Sequence, residues 1–331
     1  MTKLHSQSLA LQRQIIKQLA DGQLYSGEEL AQQAGISRAA IAKHIQALQQ
    51  LGLDIYAVKG KGYRLAAPLH LLDIQLMKQQ QPALTAEIIL QHVTDSTNTQ
   101  LLRKIQDGIP IQKGSVVVAE AQTNGRGRRG NEWFSPFGAN LYFSMYWQLE
   151  QGIQAAMGLS LVVGLAVVEL LKEHYHLDAK LKWPNDIYLQ NEKLGGILVE
   201  LAGQSHAQCD IVIGLGLNVQ MPETAQQQIQ QRWTDLHQHM SMPIDRNTLV
   251  VQLQQYLQQY LLRFEQCGFS VFVDEYNLKD QFSNQSVKLT SSNQQFIGVC
   301  QGVDAQGGII LAHQGQLQTY YGGELSLRGV E

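Results

Sequence analysis

The chain has 331 residues, with 25 Lys and Arg against 28 Asp and Glu, for a formal net charge of −3. Apolar residues make up 44%, which excludes a disordered chain, and the length points to two or three domains. Cys209, Cys267 and Cys300 form no Cys-x-x-Cys pair and no Cys/His cluster, which argues against a disulfide framework or a structural zinc and for a reducing compartment. The longest near-continuous apolar run, Ala155 to Val168, covers 14 residues, short of the roughly 20 that a spanning helix needs. The opening MTKLHSQSLALQRQ lacks the apolar centre of a signal peptide. A soluble cytoplasmic protein with no membrane partner is expected.

Charge is unevenly spread. Residues 1–65 hold eight basic against four acidic side chains, so the head is +4 and the remainder −7. Ser26-Gly27-Glu28-Glu29 reads as a capping box that opens a helix with Leu30, Ala31 and Ala34 facing inward. Gly35 permits a tight turn, and Ser37 caps a second helix whose Ile41, Ile45 and Leu48 bury one face. Its other face offers Arg38, Lys43, His44 and Gln46. Asp54–Val58 and Tyr63–Leu65 form a hairpin with Lys59-Gly60-Lys61-Gly62 at its tip. This is the pattern of a winged helix-turn-helix, its second helix shaped for a major groove and its wing for backbone phosphate, with a helical protein-interaction module as the alternative. The candidate DNA-contacting residues are Ser37, Arg38, Lys43, His44, Gln46, Lys59 and Lys61; Gln46 or Arg38 are the base-reading candidates.

After Ala66-Ala67-Pro68, helix and strand patterns alternate. Strands are predicted at Ile88–Val93 and Gly114–Glu120, with a helix over Thr97–Gln106 capped by Asp95-Ser96-Thr97. Leu141–Leu149 alternates as a strand covered on one side would. Ala155–His174 reads as a long apolar helix, and Lys180–Trp183, Gly196–Leu201 and Gln208–Gly214 as strands. Glu223–His239 is Gln-rich, a helix or a mobile surface segment. Thr248–Glu265 is a helix that Val271–Leu278 continues. Past Asp280, short strands at Ser286–Leu289, Gln295–Val303, Gly308–His313 and Gln316–Tyr320 indicate a small antiparallel barrel.

Gly125-Arg126-Gly127-Arg128-Arg129-Gly130 fits G-x-G-x-x-G after a strand. A dinucleotide fingerprint needs a helix directly after the glycines, and Asn131-Glu132-Trp133-Phe134-Ser135-Pro136 cannot supply one. No Gly-Lys-Ser/Thr follows, so it is no P-loop either. What remains is a loop of glycines and arginines. Glycine lets backbone close over a ligand, and guanidinium forks match phosphate oxygens. The residues alone leave two readings, a clamp on a phosphoanhydride or adenylate and a solvated basic tip that touches nucleic acid.

Five motifs in order carry a resemblance: the GRGRRG loop with Trp133-Phe134-Ser135-Pro136, Lys182-Trp183-Pro184-Asn185-Asp186, Lys193-Leu194-Gly195-Gly196-Ile197-Leu198-Val199-Glu200, Gly214-x-Gly216-x-Asn218, and Ser37-Arg38-Ala39-Ala40-Ile41 in the head. Over essentially its full length the chain resembles the bifunctional bacterial biotin protein ligases that are also biotin operon repressors. Departures are Thr123-Asn124 before the loop, Gly195 in KLGG, and the Gln-rich stretch near residue 228.

The resemblance implies an α+β multidomain fold. It has a winged helix-turn-helix over 1–66, a mixed α/β catalytic domain like class II synthetases over 67–279, and an SH3-like β-barrel over 280–331. It implies ATP with Mg²⁺ and biotin as substrates, with no tightly bound metal. Biotinyl-5′-AMP forms first, and a lysine of the biotin carboxyl carrier protein of acetyl-CoA carboxylase then takes the biotin. The adenylate-bound homodimer would bind operator DNA and repress biotin synthesis. By the same resemblance, Ser96, Thr97, Asn98 and Gln122 line the biotin pocket, with Arg126, Gly127, Arg128 and Lys193 at the carboxyl end. Arg128, Arg129, Lys182, Asn185, Asn218 and Trp233 fall on the nucleotide side. Arg126, Arg128, Lys193 and Asp186 are the catalytic candidates; Asp186 either orients or deprotonates the incoming amine or holds Mg²⁺. Two other classes compete: a ligand-sensing repressor without chemistry, and a lipoate-type acyl ligase. The WPND and KLGG motifs favour biotin, and the Arg/Gly loop favours chemistry.

Overall fold

The computed structural model describes residues 3–83, 85–150, 156–204, 208–290, 294–322 and 325–329. The chain opens with α1 (Lys3–Leu19), which the sequence reading did not anticipate and which adds Ile15, Ile16 and Leu19 to the head's core. In α2 (Gly27–Ala34) the capping box is complete: Ser26 accepts from the Glu29 amide and Glu29 accepts from the Ser26 amide. Gly35 ends the helix in the left-handed region, at φ 65°, where an L side chain is strained. Ser37 caps α3 (Arg38–Gln50), and Ile41, Ile45 and Leu48 are buried as the spacing predicts. The wing is the antiparallel pair β1 (Ile55–Val58) and β2 (Gly62–Leu65). Lys59 and Lys61 at its tip are exposed, as are Arg38, Lys43 and Gln46 on α3, whereas His44 is half-buried.

The body follows as α4 (Ile74–Gln80), β3 (Ile88–Thr94), α5 (Thr97–Gln106), β4 (Val116–Gln122), β5 (Asn140–Leu149), α6 (Leu159–Tyr175), β6 (Lys180–Lys182), β7 (Asp186–Leu189), β8 (Glu192–Gln204), β9 (Cys209–Asn218), α7 (Ala225–Gln228), α8 (Arg246–Cys267) and α9 (Val273–Lys279). Seven strands form one mixed sheet in the order β3-β4-β5-β9-β8-β7-β6. Only β3 and β4 run parallel, the rest of the ladder being antiparallel. α6 and α8 cover one face; α6 is buried nearly all round, as its apolar run demands. α5 covers the other, where Leu101 packs with Val117, Tyr146 and Val212.

Several expectations change. β5 is covered on both faces: Tyr142, Ser144 and Tyr146 are buried opposite the main core, Ser144 and Tyr146 against α5 and Tyr142 with its hydroxyl on the Pro136 carbonyl. α6 begins at Leu159; Ala155, where the reading began it, lies outside the described residues. α8 does not run on through residues 271–278: Gly268 turns the chain at φ 70°, and a 3₁₀ turn at Phe269–Phe272 precedes α9. The Gln-rich stretch forms only the single turn α7 and the 3₁₀ turn His237–His239. The strand after Pro184, β7, is not among the strands predicted from the sequence.

The last strands, β10 (Ser286–Thr290), β11 (Gln295–Val303), β12 (Ile309–His313), β13 (Gln316–Tyr320) and β14 (Ser326–Gly329), form an antiparallel sheet ordered β13-β12-β11-β10-β14. Trp183 is buried and donates to the Gly307 carbonyl at 3.0 Å, so the KWPND segment is fastened to this unit. No helix among the described residues is long and apolar enough to cross a membrane.

Head and body share a core. Ala121 and Phe137 of the body sit in the same cluster as Ile16, Leu30 and Ile41. The Phe137 amide donates to Leu51, the residue that ends α3, at 2.9 Å, and a Cβ at Gly52 would lie 2.7 Å from Pro136. His92 of β3 packs edge-on to Phe137 at 4.8 Å, with its Nε2 buried and unbonded. Burial, and then the charge of Arg13, hold its pKa down at about 4. The unfolded chain therefore takes up a proton near pH 6.5 that the folded chain refuses until about 4, so stability falls as pH drops through that window. Thermal melts between pH 7 and 4.5 should show a steeper loss for the natural chain than for His92→Leu; parallel curves would refute this.

Candidate functional site

The strand β4 ends at Gln122 where α5 begins, and these two ends build the floor of a cleft of about 1370 Å³. Ser96, Thr97 and Asn98 are buried at the start of α5. The expected cap differs in detail: Ser96 makes no side-chain cap bond, and the Gln122 side chain accepts the Thr97 amide at 2.8 Å instead. Asn98 bridges to β8, donating to Glu200 at 2.7 Å, while its oxygen accepts from Ser144 of β5.

The glycine-arginine loop lies over this floor. It closes on itself where Gly127 donates to Asn131, Trp133 donates to Gly125, and Arg126 faces Glu132. Gly125 must be glycine, since a Cβ there would meet Ser135 Oγ at 2.5 Å and the Trp133 carbonyl at 2.7 Å. Arg126 Nη2 is shared between the two Glu200 oxygens, at 3.0 Å from each, and Nη1 donates to Thr99 at 2.7 Å. Arg128 donates to Asn185 at 3.0 Å, and burial lowers its pKa against the charge of Asp186, which raises it. Arg129 adopts φ 60° in the 3₁₀ turn Arg128–Gly130. The Trp133 ring rests on backbone at Gly216 and Gly196, where Cβ atoms would come to 2.4 and 3.2 Å of it.

The far wall gathers positive charge. Asp186 opens β7 beside the cis Trp183–Pro184 peptide and holds two ammonium groups, Lys193 at 2.7 Å and Lys182 at 3.6 Å. Lys182 also donates to Tyr188 at 3.0 Å. Asn185 clips β8 by exchanging bonds with Ile197, which sets Asp186 and Arg128 against the same strand. Lys193 sits near the start of β8. Its backbone pairs with Trp233, and Asn218 donates to Thr234 at 2.9 Å. The Gln-rich segment is thus tied along the cleft by its far end, and Trp233 is half-buried at its rim.

All fourteen pocket residues read from the sequence line this one cleft: Ser96, Thr97, Asn98, Gln122, Arg126, Gly127, Arg128, Arg129, Lys182, Asn185, Asp186, Lys193, Asn218 and Trp233. The seven head residues lie elsewhere, on α3, its cap and the wing. Glu200, Thr99, Ser144 and the floor-seated Trp133 were given no role from the sequence. Only a residue's place inside a recognised motif, as for Glu200 and Trp133, signalled them. Leu325 to Gly329 also reach the cleft, so β14 contributes to its wall.

An anion-binding wall beside a polar pocket, joined to a winged helix, defines a nucleotide-using enzyme with a nucleic-acid-binding head. Residues 90–218 match the Biotin/lipoate A/B protein ligase family, residues 11–64 the HTH domain, and residues 282–328 the Biotin protein ligase C terminal domain. The Bifunctional ligase/repressor BirA of Salmonella typhimurium is 44% identical, the match covering 96% of this chain and 97% of that one. Its Escherichia coli counterpart is 43% identical over the same shares. The structure of the Biotin protein ligase from Aquifex aeolicus in complex with biotin and ATP superposes with a TM-score of 0.65 at 29% identity, covering 74% of this chain and 99% of that one. The chain belongs to the family of bifunctional biotin ligase/repressors.

A glycine at 214 is a steric requirement of the pocket, because a Cβ there would lie 2.4 Å from the Asn98 oxygen. Gly214→Ala should raise the KM for biotin by about tenfold, the scale of an overpacking cost, and leave the KM for ATP within about twofold. Equal increases in both would contradict this placement of Asn98.

Proposed function

We propose that this chain activates biotin with ATP and transfers it to a lysine of a biotin carboxyl carrier protein, and that its adenylate-bound form represses transcription as a dimer. The observation that carries the proposal is the single cleft in which Arg128, Lys182 and Lys193 face the polar pocket of Ser96, Thr97, Asn98 and Gln122. We place the domain boundaries at 66/67 and 279/280.

The short polar side chains at 96–98 suit a ureido group, whose buried N–H and C=O would otherwise go unpaired. Arg126, Arg128 and Lys193 then lie at the carboxyl end. In the first step a biotin carboxylate oxygen bonds to the α-phosphorus of ATP, and the Pα–O bond to pyrophosphate breaks. Arg128 and Lys193 offset the charge that gathers on the phosphoryl oxygens. In the second step the lysine amine of the carrier bonds to the acyl carbon, the bond to AMP breaks, and the amine gives up a proton.

Asp186 suits the orienting role best, since its oxygens already face two lysines and hold them beside the cleft. Among the described residues no group of three or more His, Cys, Asp or Glu could hold a metal. Any Mg²⁺ would arrive on the nucleotide phosphates, where it would neutralise phosphate charge. Asn218 and Trp233 lie on the adenine side, and Arg129, Asn185 and Lys182 on the phosphate side.

For the repressor role, the exposed Arg38, Lys43, Gln46, Lys59 and Lys61 form the DNA face, with Ser37 ordering α3 behind it. The dimer edge is β8. Beyond Gly196 its outer side has no paired strand among the described residues, and Leu201 is exposed there. Glu200 of that edge holds Arg126, so the loop and the edge move together.

Incubation with ATP and either biotin or lipoate tests the enzyme. Biotin-dependent pyrophosphate release is expected; lipoate-dependent release would select the acyl ligase reading, and binding without release the sensing repressor. Arg128→Ala should speed adenylate loss by about tenfold or more, the value of one charge-assisted bond, and weaken an operator gel shift through dimerisation. Unchanged adenylate retention in a stopped-flow chase would refute that.

A further inference from the structure

We propose that Glu200 is a positioning residue for biotin, one that fixes both the loop arginine over the pocket and the direction of the hydrogen bonds inside it. The proposal rests on the biotin-ligase reading above and assigns a part in biotin binding to a side chain that the sequence reading left without one.

Glu200 stands on β8 and reaches across the sheet in two directions. Toward the loop, its two oxygens both accept from one Arg126 nitrogen, Nη2, at 3.0 Å each. Toward the pocket, it accepts Asn98 Nδ2 at 2.7 Å. One carboxylate therefore ties the glycine-arginine loop to the first turn of α5, elements 74 and 102 residues from it in the chain. Thr99 completes the tie by accepting from Arg126 at 2.7 Å.

The second consequence concerns polarity. A carboxylate only accepts, so Asn98 must turn its amide nitrogen toward Glu200 and its oxygen away. That oxygen accepts from the Ser144 hydroxyl at 2.5 Å. Ser144 has one proton and has given it to Asn98. Its 2.7 Å contact with Thr97 is then closed by the Thr97 hydroxyl. Gln122 already accepts the Thr97 amide at 2.8 Å, and its contact with the Thr97 hydroxyl is longer, at 3.2 Å. The chain Thr97–Ser144–Asn98–Glu200 thus donates in one direction, toward the carboxylate. At its open end Thr97 Oγ1 is left with a lone pair, and Thr97 lines the cleft. A lone pair there accepts a ligand N–H, as a ureido group offers, and disfavours a ligand that brings only acceptors.

Nothing in this chain of bonds involves the nucleotide side. Replacing Glu200 should therefore weaken biotin selectively. Glu200→Gln keeps the shape and an oxygen that can accept from Asn98, but removes the charge under Arg126 and turns an amide N–H toward that guanidinium. Ser144→Ala cuts the same chain without touching Arg126.

The experiment measures biotin and ATP binding separately by calorimetry on the full chain, with pyrophosphate release and a thermal melt for each variant. Glu200→Gln is expected to weaken biotin by about tenfold, as for a lost charge-assisted bond, with ATP affinity within about twofold. Ser144→Ala should do likewise to a lesser degree, and the double variant should bind biotin no more weakly than Glu200→Gln alone. Unchanged biotin affinity in Glu200→Gln, or equal losses for biotin and ATP, overturns the proposal. If Glu200→Gln does not fold, Ser144→Ala decides in the same way: selective biotin loss supports the assignment, unchanged affinity overturns it. A natural chain that binds biotin but releases no pyrophosphate sinks the ligase reading alone and leaves this test intact.

Discussion

The site depends on a steric constraint: three glycines, Gly196, Gly214 and Gly216, leave the inner face of β8 and β9 bare. Trp133 and Asn98 occupy the space that Cβ atoms would fill, at separations down to 2.4 Å. Only because the strands are bare can the loop from Gly125 to Trp133 lie down on the sheet, and only then do Arg126 and Arg128 meet Glu200 and Asn185. The lysines need the same arrangement. Lys193 lies 5.5 Å from the Trp133 ring centre on one side and bonds Asp186 on the other. Charge recognition here is thus secondary to backbone shape: the guanidinium and ammonium groups converge because the sheet admits a loop, not because they attract one another.

The same loop runs straight into the head. Ser135 accepts from Gln122 and donates to the Trp133 carbonyl, Tyr142 donates to the Pro136 carbonyl, and Phe137 then enters the head's core. Three residues separate the tryptophan seated in the cleft from the phenylalanine packed beneath α3. The Leu51–Phe137 bond joins the end of α3 to the segment that frames the cleft. Fixing one end of so short a segment restricts the other, so ligand site and DNA-binding head share a physical element even before a second subunit is considered.

Legibility in the sequence followed range. Local rules served well: the capping box at Ser26 and Glu29, the left-handed Gly35 and the Ile41–Ile45–Leu48 face depend on neighbours within one turn. Nine of the fourteen cleft residues fall in the ordered motifs, while Ser96, Thr97, Asn98, Gln122 and Trp233 were assigned through the resemblance alone. What escaped was long-range pairing. Arg126 with Glu200 and Trp133 with Gly216 join residues more than seventy positions apart, and nothing in either segment names its partner. β5 looked one-sided because Tyr142, Ser144 and Tyr146 are polar-tipped; their hydroxyls bond Pro136, Asn98 and Asp210, which lets that face be buried. The Gln-rich stretch gave no periodic face, and its order comes from pairing with Lys193 rather than from helix formation.

The central claim is that the loop between Gly125 and Trp133 is a lid on an acyl-adenylate. Hydrogen exchange of its amides, followed with biotin alone, ATP alone and both together, tests it most directly. The account predicts strong slowing at residues 126–132 only when both substrates are present, alongside pyrophosphate in the same tube. Exchange as fast as in the empty protein, with both substrates present and consumed, would contradict it.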